Sequence, residues 1–158
     1  MHRLAEKTGT QAYVMPVPFF ANTEEDREVL LAQRGVSEVF DLARSADLKI
    51  VGIGTVDNQA HLVKSGMLQP NELEEIASLG GGGELLGHFF DGTGRILQTS
   101  VTARTLAASF SEDGNDRIVA IAGGPVKTEA IRAVLHSHKL HGLITDERTA
   151  RSLLQSST

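Results

Sequence analysis

The sequence contains no cysteine and no tryptophan, and aromatic residues make up only 4% of its 158 positions. Without cysteine there can be neither a disulfide framework nor a thiolate metal site. With so few aromatics the core must rest on Leu, Ile, Val and Ala, as in parallel strands covered by helices, which favours an α/β fold over a sandwich. Long apolar runs are missing too. The opening Met1-His2-Arg3-Leu4-Ala5-Glu6 is polar and no later stretch has the length of a membrane span, so the expectation is a cytoplasmic protein without leader or anchor. Basic clusters are also absent: 15 Lys and Arg stand against 20 Asp and Glu, a net charge of −5, which argues against this chain gripping DNA or RNA itself.

What is present alternates between strand and helix signals. The run AYVMPVPFF, Ala12 to Phe20, reads as a buried strand entering a loop that Pro16 and Pro18 hold extended. A helix follows, capped by Thr23, with Glu24, Glu25 and Asp26 at its positive end and Gly35 separating two helical pieces. Residues 47–55 form a strand that ends in a glycine loop. Pro70 then opens a helix that turns Leu73, Ile76, Ala77 and Leu79 inward and is ended by the run Gly80 to Gly83. Glu84 to Phe90, the turn Asp91-Gly92-Thr93-Gly94 and Arg95-Ile96-Leu97 predict a hairpin. Arg117 to Ala122 is the clearest buried strand, turned by Gly123-Gly124 into a helix starting near Pro125. His141 to Thr145 repeats the strand, and Asp146 caps a closing helix with Ala150, Leu153 and Leu154 on its apolar side, before a frayed SST tail. The pattern predicts one α/β domain over residues 1–158, a layered, parallel-rich sheet flanked by helices with a small hairpin insertion.

In such sheets small ligands bind beyond the carboxyl ends of the strands, which singles out three loops. Gly52-Ile53-Gly54-Thr55 fails as a dinucleotide fingerprint, because Asp57 stands where the third glycine is needed. Gly54 and Thr55 can still bring a bare backbone and a hydroxyl to a ligand, or form an ordinary tight turn. Gly123-Gly124-Pro125-Val126-Lys127 fails as a nucleotide-triphosphate loop, since Ile121 and Val126 replace both required glycines. Gly123 and Lys127 nonetheless lie at a helix start that favours an anion; the alternative is a solvated lysine. Glu84 opens the apolar run ELLGHFF, where it is either a solvated strand end or an acceptor for sugar hydroxyls. His136, His138 and His141 follow no recognised metal-ligand spacing, and no G-x-S-x-G elbow occurs, so no metal, cofactor or catalytic residue is expected.

In order and approximate spacing, VGIGTV, then KSGMLQPNELEEIASLGGGGELLGHFFDGTGRIL, then VAIAGGPVKTEAIRAVLHSHKLHGLITDERTARSLL resembles the sugar-binding domain of SorC/DeoR-family bacterial transcription regulators, from about Leu4 to Leu154. The resemblance implies a glucosamine-6-phosphate deaminase and ribose-5-phosphate isomerase type of fold. It also implies a sugar or sugar-phosphate effector, with Glu84 on its hydroxyls and Lys127 on the effector. It further implies a homodimer or homotetramer, and operator DNA bound only through a helix-turn-helix domain that this chain does not contain. Family members carry a first strand and a phosphate-holding loop upstream of the helix that Met1 to Lys7 would continue, so the expectation is a domain incomplete at its N-terminus. The alternative is a sugar-phosphate isomerase or deaminase of the same fold, with Glu84 as general base and Lys127 stabilising charge.

Overall fold

A computed structural model describes residues 2–108, 110 and 116–155. The element order is α1 (His2–Thr8), α2 (Glu24–Leu31), α3 (Arg34–Arg44), β1 (Lys49–Val51), α4 (His61–Lys64), α5 (Pro70–Ser78), β2 (Gly81–Leu85), β3 (His88–Asp91), α6 (Ser100–Ala103), β4 (Ile118–Ile121), α7 (Thr128–His136), β5 (Gly142–Ile144) and α8 (Glu147–Gln155). A 3₁₀ turn at Pro125–Lys127 precedes α7.

The aliphatic runs at 49–51, 118–121 and 142–144 pair as a parallel sheet in the order β1-β4-β5, with Val51 opposite Ala120 and Ala120 opposite Leu143. Side chains alternate across it. On one face Ile118 and Ala120 are buried, and Ala120, Val51 and Leu143 pack against Ala130, Ile131, Ala133 and Val134 of α7. This is the main core. A second cluster joins Phe20, Leu62, Ile76, Phe89 and Val101, and a third joins Ala21, Val36, Phe40 and Leu106. A mixed α/β fold with a parallel-rich sheet flanked by helices therefore stands.

The hairpin is displaced from its expected place. It is β2-β3, turned at Leu86-Gly87, where both residues adopt left-handed φ of 53° and 76°, the geometry of the turn that suits twisted strands. Asp91-Gly92-Thr93-Gly94 also turns the chain, and Phe90 then meets Ile96 in a single bridge, so the return at residues 95–97 is not a strand. Gly80 alone, at φ 80°, ends α5, while Gly81 to Gly83 are strand residues. Close packing explains them: β2 runs so near α7 that a Cβ on Gly83 would lie 2.6 Å from the carbonyl oxygen of Ala130.

Ala12 to Phe20 is not a strand either. Only Phe20 makes a bridge, to Thr105, and Tyr13 and Val14 stay about half exposed. Strand-forming composition cannot hold a ladder without a neighbouring edge. Among the helices, Thr23 caps α2 by accepting from the Asp26 amide at 3.0 Å, and the Glu72 carboxylate accepts from the Gln69 amide at 2.8 Å ahead of Pro70. The break between α2 and α3 falls at Ala32-Gln33, and Gly35 lies within α3. Ile76 is fully buried on α5, whereas Ala77, Leu79 and Leu154 face solvent, contrary to the expected inward stripes. The SST tail lies outside the described residues. No described helix is long and apolar enough to cross a membrane.

Candidate functional site

Beyond β1 the chain continues through Gly52, Ile53, Gly54 and Thr55. There Gly54 exchanges two backbone hydrogen bonds with Glu84, each 2.9 Å. This single antiparallel bridge stitches the hairpin to the carboxyl end of the sheet. It places Glu84 beside the glycine loop although Glu84 lies 30 positions further along the chain than Gly54. A cavity of about 540 Å³ opens there, with Gly54, Thr55, Glu84, Lys127 and His61 as its polar wall and Phe19, Leu62, Met67 and Leu86 among its apolar residues. Four of the five residues expected to touch a ligand thus share one cavity. His61 was not anticipated; its only sequence signal is a position at the start of a short helix.

Glu84 is buried, and its Oε1 accepts a 2.6 Å hydrogen bond from the Gly87 amide. Burial raises its pKa, opposed by that hydrogen bond and by the nearby Lys127 ammonium. The reading as a solvated strand end is thereby replaced by a carboxylate held in place. Gly54 is what makes room for it, since a Cβ there would overlap Oε2 of Glu84. Lys127 closes the 3₁₀ turn ahead of α7 and donates from Nζ to the Ile53 carbonyl at 2.8 Å. Its charge at a helix start is therefore met by a carbonyl dipole and by Glu84, and points back toward β1.

Gly123 faces an adjoining cavity of about 370 Å³ lined also by Ile121, Ile144, Thr145 and Asp146, with Lys127 common to both spaces. Its missing side chain leaves room for the Asp146 carboxylate. That carboxylate accepts from the Gly124 amide at 2.9 Å, the Thr149 amide at 2.9 Å and the Thr149 hydroxyl at 2.7 Å. These bonds, the Thr149 hydroxyl first, hold its pKa down at about 2. Asp146 is a helix cap, as its sequence position suggests, and also ties α8 to the Gly-Gly turn, which only the fold reveals. Two buried atoms, Thr145 Oγ1 and His88 Nδ1, lack a hydrogen-bond partner among the described residues. His136 is engaged through Nδ1 with the Gly92 carbonyl at 2.7 Å. No group of three His, Cys, Asp or Glu residues placed to hold a metal occurs among the described residues.

The family described as "Putative sugar-binding domain" matches residues 1–155. The chain belongs to the SorC/DeoR type of sugar-binding regulator domain. It is 67% identical over 154 residues to the erythritol catabolism regulatory protein EryD of Brucella abortus, covering 98% of this chain and 49% of that protein. It is 32% identical over 145 residues to the transcriptional regulator LsrR of Klebsiella pneumoniae, covering 89% and 45% respectively. The chain thus spans about half the length of these curated relatives. Its fold superposes with a TM-score of 0.87 on a domain of a possible sugar-binding transcriptional regulator from Arthrobacter aurescens, at 24% identity, covering 98% of this chain and 59% of the other. For the full-length sorbitol operon regulator SorC of Klebsiella pneumoniae the TM-score is 0.86, at 20% identity, with 97% and 50% covered.

Proposed function

We propose that this chain is the effector-sensing part of a transcriptional regulator, taking a short sugar, polyol or its phosphate into the cavity between the glycine loop and the hairpin. The observation that carries the reading is the convergence of Gly54, Thr55, Glu84 and Lys127 on one cavity in a member of this family. Glu84, already fixed by the Gly87 amide, orients ligand hydroxyls by accepting from them, while Lys127 offers the positive charge for a phosphate. Gly123 shapes the neighbouring space through Asp146. The ligand acts by binding two arrangements of the regulator with different affinity, so turnover is not required.

The likeness to the erythritol catabolism regulator makes a four-carbon polyol and its phosphate the first ligands to test. In the same reading the fold is kin to glucosamine-6-phosphate deaminase and ribose-5-phosphate isomerase. The intact protein is a cytoplasmic homodimer or homotetramer whose operator DNA is held by a separate helix-turn-helix domain. The test joins this chain to the remainder of the Brucella abortus relative and measures thermal shifts with erythritol, erythritol phosphate, pentitols and pentose phosphates. Saturation at a hundredfold excess over Kd should stabilise by about 2.7 kcal/mol. Lys127→Ala and Glu84→Ala should each remove the shift, and the ligand should be recovered unconverted. Stabilisation that survives both substitutions, or none with any ligand, would overturn the assignment; conversion of the ligand would point to the isomerase or deaminase reading instead.

A further inference from the structure

Phe19 and Met67 belong to two cavities at once. Besides the space that holds Glu84 and Lys127, they line another of about 460 Å³ whose polar side chains are Asn22, Gln69, Glu72 and Arg104. The pair is therefore a partition, with hydrogen-bonding groups on both sides and only a weakly accepting thioether of its own. Its aromatic half is braced. The Phe19 carbonyl accepts from the Leu106 amide at 2.9 Å, and its ring meets Phe20 edge-on, 4.8 Å between centroids. The Arg104 guanidinium lies over the Phe20 ring, 5.3 Å from its centroid, and pairs with Glu72, whose other oxygen accepts from the Gln69 amide at 2.8 Å. Met67 is 41% exposed and unbranched, so it yields where Phe19 does not. Phe19 also stands at the Glu84 end of its cavity. Gly87, whose amide holds the Glu84 carboxylate, is bare where the ring passes: a Cβ there would lie 3.4 Å from Cε1 of Phe19.

We propose that Phe19 is the specificity-determining residue that limits the length of the ligand's hydroxylated chain, an inference that rests on the effector site proposed above. A hydroxyl pressed onto this ring loses water and gains no partner, a cost that a short polyol held by Glu84 avoids and a longer one incurs. The restriction is one of hydrogen bonding and not of volume, since about 540 Å³ lies within the range of sites for larger ligands. Behind the ring the conditions reverse, because Asn22, Gln69, Glu72 and Arg104 all bond hydroxyls. Removing the ring joins the two cavities and gives extra hydroxylated carbons a polar place to lie. One side chain thus favours a four-carbon polyol over a six-carbon one.

The test uses this chain joined to the remainder of the Brucella abortus relative, titrated calorimetrically with erythritol, a hexitol and the monophosphate of each. The unsubstituted protein should bind the four-carbon compounds about tenfold or more tighter than the six-carbon ones. Phe19→Ala should shrink that ratio by about tenfold or more, through tighter binding of the hexitol compounds. Phe19→Leu keeps the partition apolar and should preserve the preference. Met67→Ala, at the exposed and yielding half of the partition, should move the ratio in the same direction by a smaller factor. Equal affinity of the unsubstituted protein for both chain lengths overturns the proposal without recourse to any variant. A ratio left unaltered by Phe19→Ala overturns it too, because a wall that only supports the fold weakens both ligands alike. Binding of none of the compounds by the unsubstituted protein overturns the effector reading itself, so the two failures are told apart.

Discussion

Replacing Gly54 by alanine tests the stitch between the glycine loop and the hairpin. A Cβ at Gly54 would overlap Oε2 of Glu84 and approach the Glu84 Cβ to 3.3 Å, so the buried carboxylate must shift away from the Gly87 amide that now holds it at 2.6 Å. A hydrogen bond to a charged group contributes about 1.5–3 kcal/mol. Against that loss stands a gain of about 0.4–1 kcal/mol, because alanine narrows the unfolded ensemble where the native φ suits it. Gly54 does not adopt a left-handed φ, so the gain applies. The net expectation is a destabilisation of about 1–2 kcal/mol, a shift of roughly 0.5–1 M in the urea midpoint for a typical slope near 2 kcal/mol per M. In a Glu84→Ala background the carboxylate is gone and only the 3.3 Å approach to the remaining Cβ is left, so the same Gly54→Ala change should cost clearly less than it does with Glu84 in place. Urea titrations followed by far-UV circular dichroism on the four proteins of this cycle give the coupling directly. An equal cost of Gly54→Ala in both backgrounds would refute the idea that the glycine is there to seat the carboxylate.

Further outcomes follow from other buried contacts. Asp146, held near 2 against an ordinary value of 3.8, has a depressed pKa, so its contribution is complete above about pH 4 and disappears as pH falls toward 2. Asp146→Asn should flatten that part of the stability profile, and a profile unchanged by the substitution would count against the Gly124 and Thr149 contacts. Arg104 is half-buried beside Glu72 and also donates to the Ala21 carbonyl at 2.7 Å, so Arg104→Met, which strands Glu72, should cost about 1–3 kcal/mol in chemical denaturation. A loss below 1 kcal/mol would place that pair on a hydrated surface. Ile131 has no exposed area and packs beneath the sheet, so Ile131→Ala should cost about 2–5 kcal/mol.

The elements legible in the sequence are those whose signals are local. IVAI with Gly-Gly-Pro after it specifies a strand, a turn and a helix within a dozen residues, and β4, the 3₁₀ turn and α7 stand where that pattern puts them. Thr23 and Asp146 as caps belong to the same class. What could not be read depends on partners far along the chain. Gly83 looks like part of a helix stop because the reason for it, Ala130 of α7, lies 47 positions further along the chain. Lys127 was legible as a charge at a helix start, but its carbonyl partner, Ile53, is 74 residues earlier. Glu84 was legible as an anomaly in an apolar run, and the fold supplies the amide of Gly87 and the bareness of Gly54 that accommodate it.

The places where local rules fail are not scattered. On the α7 side of the sheet, alternation and burial agree at Val51, Ile118, Ala120 and Leu143, all of them packed or buried as their spacing requires. On the opposite side Ile50, Ile121 and Ile144 are aliphatic and exposed, and the strand-like Tyr13-Val14 run has found no ladder. Phe19, from the end of that run, lines the same cavity as Glu84 and Lys127. Sequences that specify one structure keep propensity, pattern and packing consistent, with departures concentrated at sites of binding or assembly. Here the departures gather on one face and around the two cavities that open beside it. The two are continuous, because Ile50 lines the cavity that holds Glu84, Ile121 and Ile144 line the cavity beside Gly123, and Lys127 borders both.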